Sequence, residues 1–260
     1  MFQIHSIKNL LNIKDKNIFF TQTGVSVENF KGISSKIIHA KLSYSPDKCP
    51  HCQAKDIIKW GSKTSNIRLL KVLGYNTILR LQKQRFRCKE CEKTFVAETD
   101  LVEKYCSISN DVKLAITLEL QKNISEKDIA SNFNVSPNTV NRIINSFFKE
   151  HLPSKNYLPE ALCFDEFKAT KDCEGAMAFI YCDANTGKII NILPKMKTSL
   201  KTFKKYLDYI ENSLNYHYNN GLIEGINRKI KTLKRSAYGY KSFYHFRARI
   251  LINNNLLATK

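Results

Sequence analysis

Cys49-Pro-His-Cys52 and Cys88-Lys-Glu-Cys91 bracket an insert in which Asn66 to Arg87 is rich in β-branched and apolar residues and holds a single glycine, Gly74. Two C-x2-C pairs at this spacing let four thiolates close a tetrahedron around Zn²⁺: each knuckle offers two sulfurs from one tight turn, and a hairpin between them brings the turns together. The insert therefore reads as a β-ribbon and Cys49, Cys52, Cys88 and Cys91 as ligands of a structural Zn²⁺. With sulfur in all four positions no place remains for water, so zinc catalysis is not expected. Chance pairing and redox use of the thiols are the competing readings. His51, between two thiols, is either exposed in the knuckle or a substitute ligand. Arg80, Lys83, Arg85 and Arg87 lie on the strand entering the second knuckle. Strand alternation turns several of them to one face, either toward phosphate or as a solvated surface.

Outward from the ribbon, which we bound at 41–100, residues 1–40 mix lysines with short apolar clusters. They show no sustained helical or strand period and read as an N-terminal arm. Residues 101–152 switch to helical spacing and fit three short helices. Within them, Ser125 to Ile144 reads as a helix-turn-helix, with Ile129, Phe133, Val135, Val140 and Ile143 as its shared core. Ala130 permits close approach of the helices, and Asn134 suits the left-handed turn position. Ser136 caps the second helix and Pro137 occupies its first turn. Ser136, Asn138, Thr139, Asn141, Arg142 and Asn145 are then the residues presented to a DNA groove and its flanking phosphates.

The whole chain has 260 residues and carries 42 Lys and Arg against 23 Asp and Glu, a net charge of +19. Such a balance makes a small acidic substrate or an inert scaffold less fitting than a polyanionic partner, and nucleic acid is the first candidate. The apolar runs fall far short of the roughly 20 residues that cross a bilayer, and the N-terminus has no signal-like block. A cytoplasmic, nucleoid-associated protein with no membrane partner is expected, its cysteines held as thiols or metal thiolates.

Residues 153–260 form the third unit, entered through a proline-bearing linker ending at Pro159. Three apolar segments, Ala161 to Lys168, Ala176 to Asp183 and Lys188 to Leu193, read as a β-meander, and helical, increasingly basic text follows. Asp165 and Glu166 lie in the first strand. Glu224 opens a helix whose same face carries Asn227, Arg228, Lys231 and Arg235. Carboxylates beside a basic stripe fit a phosphodiester-cutting site, where acids hold two Mg²⁺ about 4 Å apart and cations hold the phosphates.

The order ribbon, helix-turn-helix, Leu162-Cys-Phe-Asp-Glu-Phe-Lys168, Glu174-Gly-Ala-Met177, Tyr181-Cys-Asp-Ala184 and the block from Asn220-Gly-Leu-Ile-Glu224 to Tyr240 resembles bacterial insertion-sequence transposases of the ISL-three group. That resemblance implies a multidomain α+β protein whose last domain is ribonuclease-H-like. It also implies an Asp, Asp, Glu triad and Mg²⁺-dependent cleavage and joining of transposon ends. Asp165 matches the first Asp and Glu224 the final Glu, both as Mg²⁺ ligands. Arg228, Lys231 and Arg235 are the DNA-holding cations of this block.

The chain departs from the family at the middle Asp, because only 58 residues separate Asp165 from Glu224. An internal deletion that truncates the ribonuclease-H-like domain is the simplest account. Asp183 is a poor substitute. If the first two strands pair with residue 165 opposite 180, Asp183 lies about 10 Å along the sheet and on its other face. The same register makes Cys163 and Cys182 cross-strand neighbours, expected as buried thiols. The leading reading is a transposase-family protein that binds double-stranded transposon-end DNA with its cutting activity lost. The alternative is a DNA-binding repressor, or a competitor that meets an intact transposase or further copies of this chain. An RNA-binding ribbon protein is a third reading, and the carboxylates lend it nothing.

Overall fold

The computed structural model describes residues 7–150, 159–173, 176–194, 204, 207, 211 and 221–254. The boundary expected at 153, and all of the proline-bearing linker before Pro159, lie outside them. The chain divides into two compact units, Met1–Ala115 and Ile116–Lys260.

The first unit is built on one sheet. Its strands are β1 (Ile18–Phe30), β2 (Ile33–Leu42), β3 (Ile57–Arg68), β4 (Asn76–Cys88) and the short β5 (Thr94–Val96). They run in the order β1-β2-β4-β3, with β5 on β4. The N-terminal arm is thus corrected, since residues 18–42 of it and its border are two sheet strands. Lys31 and Gly32, both at positive φ, form the two-residue turn that a right-twisted hairpin needs, and β2 then pairs in parallel with β4 from Ser35↔Asn76 to Leu42↔Lys83. The strand signal was hidden because β2 is central and buries the adjacent Ile37 and Ile38 together. That erases the alternation of a half-exposed strand. Ile18, Ile38, Leu42, Ile67, Leu79, Leu81 and Phe86 make the core.

The helices are α1 (Asn110–Glu119), α2 (Glu126–Asn132), α3 (Pro137–Glu150), α4 (Gly221–Ser236) and α5 (Phe243–Asn253), and β6 (Leu162–Lys168), β7 (Met177–Asp183) and β8 (Ile189–Leu193) form the expected antiparallel meander. Residue 165 pairs with 180 and Cys163 with Cys182, the register read from the sequence. Both cysteines are buried free thiols, and loss of hydration pushes the Cys182 thiol up to about 12. Ile223, Ile226, Ile230 and Leu233 of α4, with Phe246 and Ile250 of α5, cover one face of this sheet over Cys163, Phe167, Ile180 and Ile192.

The border at 115/116 differs from the sequence-based borders at 100/101 and 152/153, and backbone and side-chain bonds explain the difference. Arg68 and Ser109 bond each other's strand and loop, with Ser109 N donating to Arg68 O at 2.9 Å. In the second unit, α5 is tied to the helix-turn-helix. Arg249 donates to Lys122 O at 2.9 Å and Ile124 O at 3.1 Å, Asn253 donates to Gln121 O at 2.6 Å, and His245 Nε2 faces both Glu126 carboxylate oxygens at 2.8 and 2.9 Å.

Asp172 helps set the start of α5. Its carboxylate accepts from Phe243 N at 3.1 and 2.9 Å and from the Thr170 hydroxyl. The Thr170 hydroxyl first, and then the Phe243 amide, hold its pKa below the usual aspartate value. A depressed carboxylate stabilises the fold above its unfolded pKa and loses that contribution as pH falls through its folded value. Asp172→Asn is expected to be less stable than the wild type at neutral pH, with the gap closing as pH drops below about 4. Paired melting curves across pH check this; a gap that stays constant with pH contradicts it.

Candidate DNA-binding surface and carboxylate site

The four knuckle sulfurs lie within 4.8 Å of one another. Cys49 Sγ is 3.7 Å from Cys91 Sγ and Cys52 Sγ is 3.6 Å from Cys88 Sγ. Zn–S bonds of about 2.3 Å put the edge of a tetrahedron near 3.8 Å, so the cage fits that ion. Local backbone builds both knuckles alike. Gln53 and Glu92, each following its second cysteine, take positive φ, and the chain closes through Cys49 N to Ala54 O at 2.8 Å and Cys88 N to Lys93 O at 3.0 Å. His51 is exposed; its backbone N–H donates to Cys49 Sγ at 3.4 Å.

In the helix-turn-helix, Ser125 caps α2 by accepting from Asp128 N, and Asn134 takes φ 52° in the turn. Ser136 Oγ accepts from Thr139 N at 3.2 Å and so caps α3. Ile129, Ala130, Val140, Ile143 and Ile144 are buried between the helices. Ser136, Asn138, Arg142 and Asn145 are exposed, and Thr139 and Asn141 are half-buried. The polar face is internally braced: Arg142 donates to Thr139 Oγ1 at 3.3 Å and Asn145 Nδ2 to Asn141 Oδ1 at 2.8 Å. A braced polar helix face of this kind can meet base edges and phosphates with little further ordering.

Asp165 is tied to α4, the helix that also carries Glu224, through Asn227, which is not among the site residues expected from the sequence. Asn227 is buried, and its Nδ2 donates to Asp165 Oδ2 at 2.6 Å, while its buried Oδ1 has no partner among the described residues. Glu224 sits one turn before Asn227 on the same side of α4 and is exposed. The i+3 spacing from Glu224 was the available signal for Asn227. Lys234 fixes the far end of α4 to β6, donating to Lys168 O at 3.0 Å and Ala169 O at 2.5 Å. Arg228, Lys231 and Arg235 form an exposed basic stripe.

Glu166 is exposed on the opposite side of β6 from Asp165. Asp183, paired with Leu162, is spent on its turn: it accepts from Asn185 N at 2.8 Å and from the Thr186 hydroxyl at 2.8 Å. Among the described residues, the cysteine cage is the one cluster of three or more ligating side chains close enough to hold an ion. Among the described residues, two carboxylates, one of them already bonded to an amide, do not by themselves fit a two-Mg²⁺ site.

Three family models match consecutive stretches. Residues 45–91 match a zinc-finger of transposase IS204/IS1001/IS1096/IS1165, residues 97–147 a helix-turn-helix domain of transposase family ISL3, and residues 169–250 a transposase domain. The last includes Glu224 and begins after Asp165. A protein of transposable element ISH50 from Halobacterium salinarum is 25% identical over 128 residues, 49% of this chain and 38% of that one. A protein named ATP-dependent protease from Lactococcus lactis subsp. lactis is 50% identical over 58 residues, 22% of this chain and 19% of that one. This chain has no G-x-x-x-x-G-K-[ST] phosphate loop. The chain thus spans well under half the length of each of these relatives. Among the described residues, no helix is long and apolar enough to cross a membrane.

Proposed function

This chain belongs to the ISL3 transposase family, whose ribbon, helix-turn-helix and transposase segments it carries in order, and we propose that it binds double-stranded transposon-end DNA without cutting it. The exposed polar face of α3, capped by Ser136 and braced through Thr139 and Arg142, is the observation that carries the binding half. Asn138, Asn141 and Asn145 can read bases there, while Ser136, Arg142 and the stripe of Arg228, Lys231 and Arg235 hold phosphates. A Zn²⁺ in the cage of Cys49, Cys52, Cys88 and Cys91 supplies stability to the ribbon rather than chemistry.

Asp165 and Glu224 are the remaining members of the family's acidic triad in this reading, with its middle Asp lost to an internal deletion. Without a third carboxylate, Mg²⁺ is not held tightly enough to break a phosphodiester. The same deficit favours a second role, in which the chain occupies ends that an intact transposase would otherwise engage and acts as repressor or competitor.

Titration of labelled end-sequence and scrambled duplexes at several salt concentrations tests the binding. We expect the end sequence to be preferred, with Arg142→Ala and Asn138→Ala each costing about 1–3 kcal/mol on it. Equal affinity for both duplexes, lost steeply with salt, defeats the reading. Nicking of supercoiled plasmid in Mg²⁺ or Mn²⁺ tests the inactivity; robust cleavage abolished by Asp165→Asn shows the site to be complete.

A further inference from the structure

The end of the β3–β4 hairpin next to the cysteine knuckles presents a flat ring among cations for which the fold has no use. Trp60, the single tryptophan of the chain, is 48% exposed although tryptophan is normally well covered. It sits at a bulge, where β3 slips register between Lys59 and Ser62 and Gly61 takes φ 77°. Bulges re-aim side chains, and this one opens the edge strand outward. The Arg87 guanidinium lies over the ring, 5.1 Å from its centroid. A cation thus lies over one ring face, and about half of the residue is still open to solvent.

Lys83, Arg85 and Arg87 follow one another at two-residue spacing on β4 and so share a face. Lys63 is paired directly opposite Lys83. Like charges in that position are destabilising unless an anion lies between them. The acidic groups nearby are few: Glu92 meets Arg87 at 3.2 Å, and Glu98 bonds Lys104 at 2.9 Å while also attracting Lys83. Lys63, Lys59 and Arg85 have no ion-pair partner among the described residues.

We propose that this hairpin face is a second DNA site, which takes a single-stranded or unpaired segment with its phosphates on Lys63, Lys83 and Arg85 and a base stacked on Trp60. An exposed ring among cations is the combination by which single strands are held, whereas in an intact duplex the base faces are already covered by their neighbours. The proposal rests on the DNA-binding reading above and adds the form of DNA and the residues that select it.

Tryptophan emission reports the site directly, since Trp60 is its sole source. The full chain is titrated with a blunt duplex and with the same duplex carrying a single-stranded extension, while anisotropy of a DNA label reports binding independently. The expected result is quenching on the extended duplex only. Trp60→Ala should weaken binding to the extended duplex about tenfold while leaving the blunt duplex unchanged, and Trp60→Phe should keep most of that affinity. Lys63→Gln combined with Arg85→Gln should lower the slope of log K against log salt on the extension by about 1.4.

Anisotropy showing binding with no quenching on either DNA, or with equal quenching on both, overturns the single-strand site and leaves the helix-turn-helix reading intact. Quenching that persists when Arg142→Ala and Asn138→Ala change nothing defeats the helix-turn-helix reading and keeps this one. Absence of binding by either signal defeats both.

Discussion

Cys88→Ser is expected to unfold the ribbon. Cys88 ends β4, is fully buried, pairs across the hairpin with Ile57 and donates its N–H to Lys93 O at 3.0 Å. Serine keeps the backbone bonds and the approximate volume but cannot supply a thiolate, so the substitution isolates the metal's contribution. Structural Zn²⁺ is worth about 10 kcal/mol or more in small metal domains, which is on the order of a whole domain's stability. Chelation of the wild type should act in the same direction, because both remove the ion that holds the two knuckles together. Zinc stoichiometry, near-ultraviolet circular dichroism and proteolysis within 45–91 measure the effect. A chelated chain that keeps its melting temperature and its protease resistance would return the thiols to chance pairing or redox use.

The second large effect is expected at Arg249, a residue no motif pointed to. It is 0% exposed in the middle of α5 and donates to the carbonyls of Lys122 and Ile124 just before α2. Burial pulls its pKa down, while the neighbouring Tyr240 and Glu126 oppose that shift. Arg249→Met fills a similar volume but leaves both carbonyls without a donor. Hydrogen bonds to a charged group are worth about 1.5–3 kcal/mol each, so a loss of about 3 kcal/mol is a conservative expectation. The loss should reach function, because the same carbonyls lie in the loop that positions the helix-turn-helix. We expect a lower melting temperature together with weaker binding to end-sequence duplexes, and partial recovery in Arg249→Lys. Unchanged melting and binding in Arg249→Met would show that α5 does not hold the helix-turn-helix in place.

The two effects differ in how far they could be read from the chain alone. The cage at 49, 52, 88 and 91 is visible because metal ligation demands a fixed residue type at a fixed local spacing. The cap at Ser136, the left-handed Asn134 and the register of Asp165 opposite Ile180 are equally local. Each depends on a few neighbouring residues whose conformations are restricted by sterics or by one short loop. Asn227 stood within reach of the same reasoning, three residues from Glu224, but its meaning lay in the strand it touches. The strands within 1–40 are not legible as strands because β2 is paired on both edges and buries the adjacent Ile37 and Ile38 on opposite faces, which breaks the alternation by which half-exposed strands are recognised.

Chain order alone specifies the zinc cage, the helix-turn-helix and the meander, since capping, ligation and hairpin pairing act over short separations. Packing between distant segments decides that Asp165 meets an amide, that Arg249 and His245 bind the C-terminal helix to residues 122–126, and that Lys63 confronts Lys83 beside an uncovered Trp60. Such juxtapositions arise when side chains far apart along the chain compete for the same core and the same surface, and no local pattern records which of them will meet.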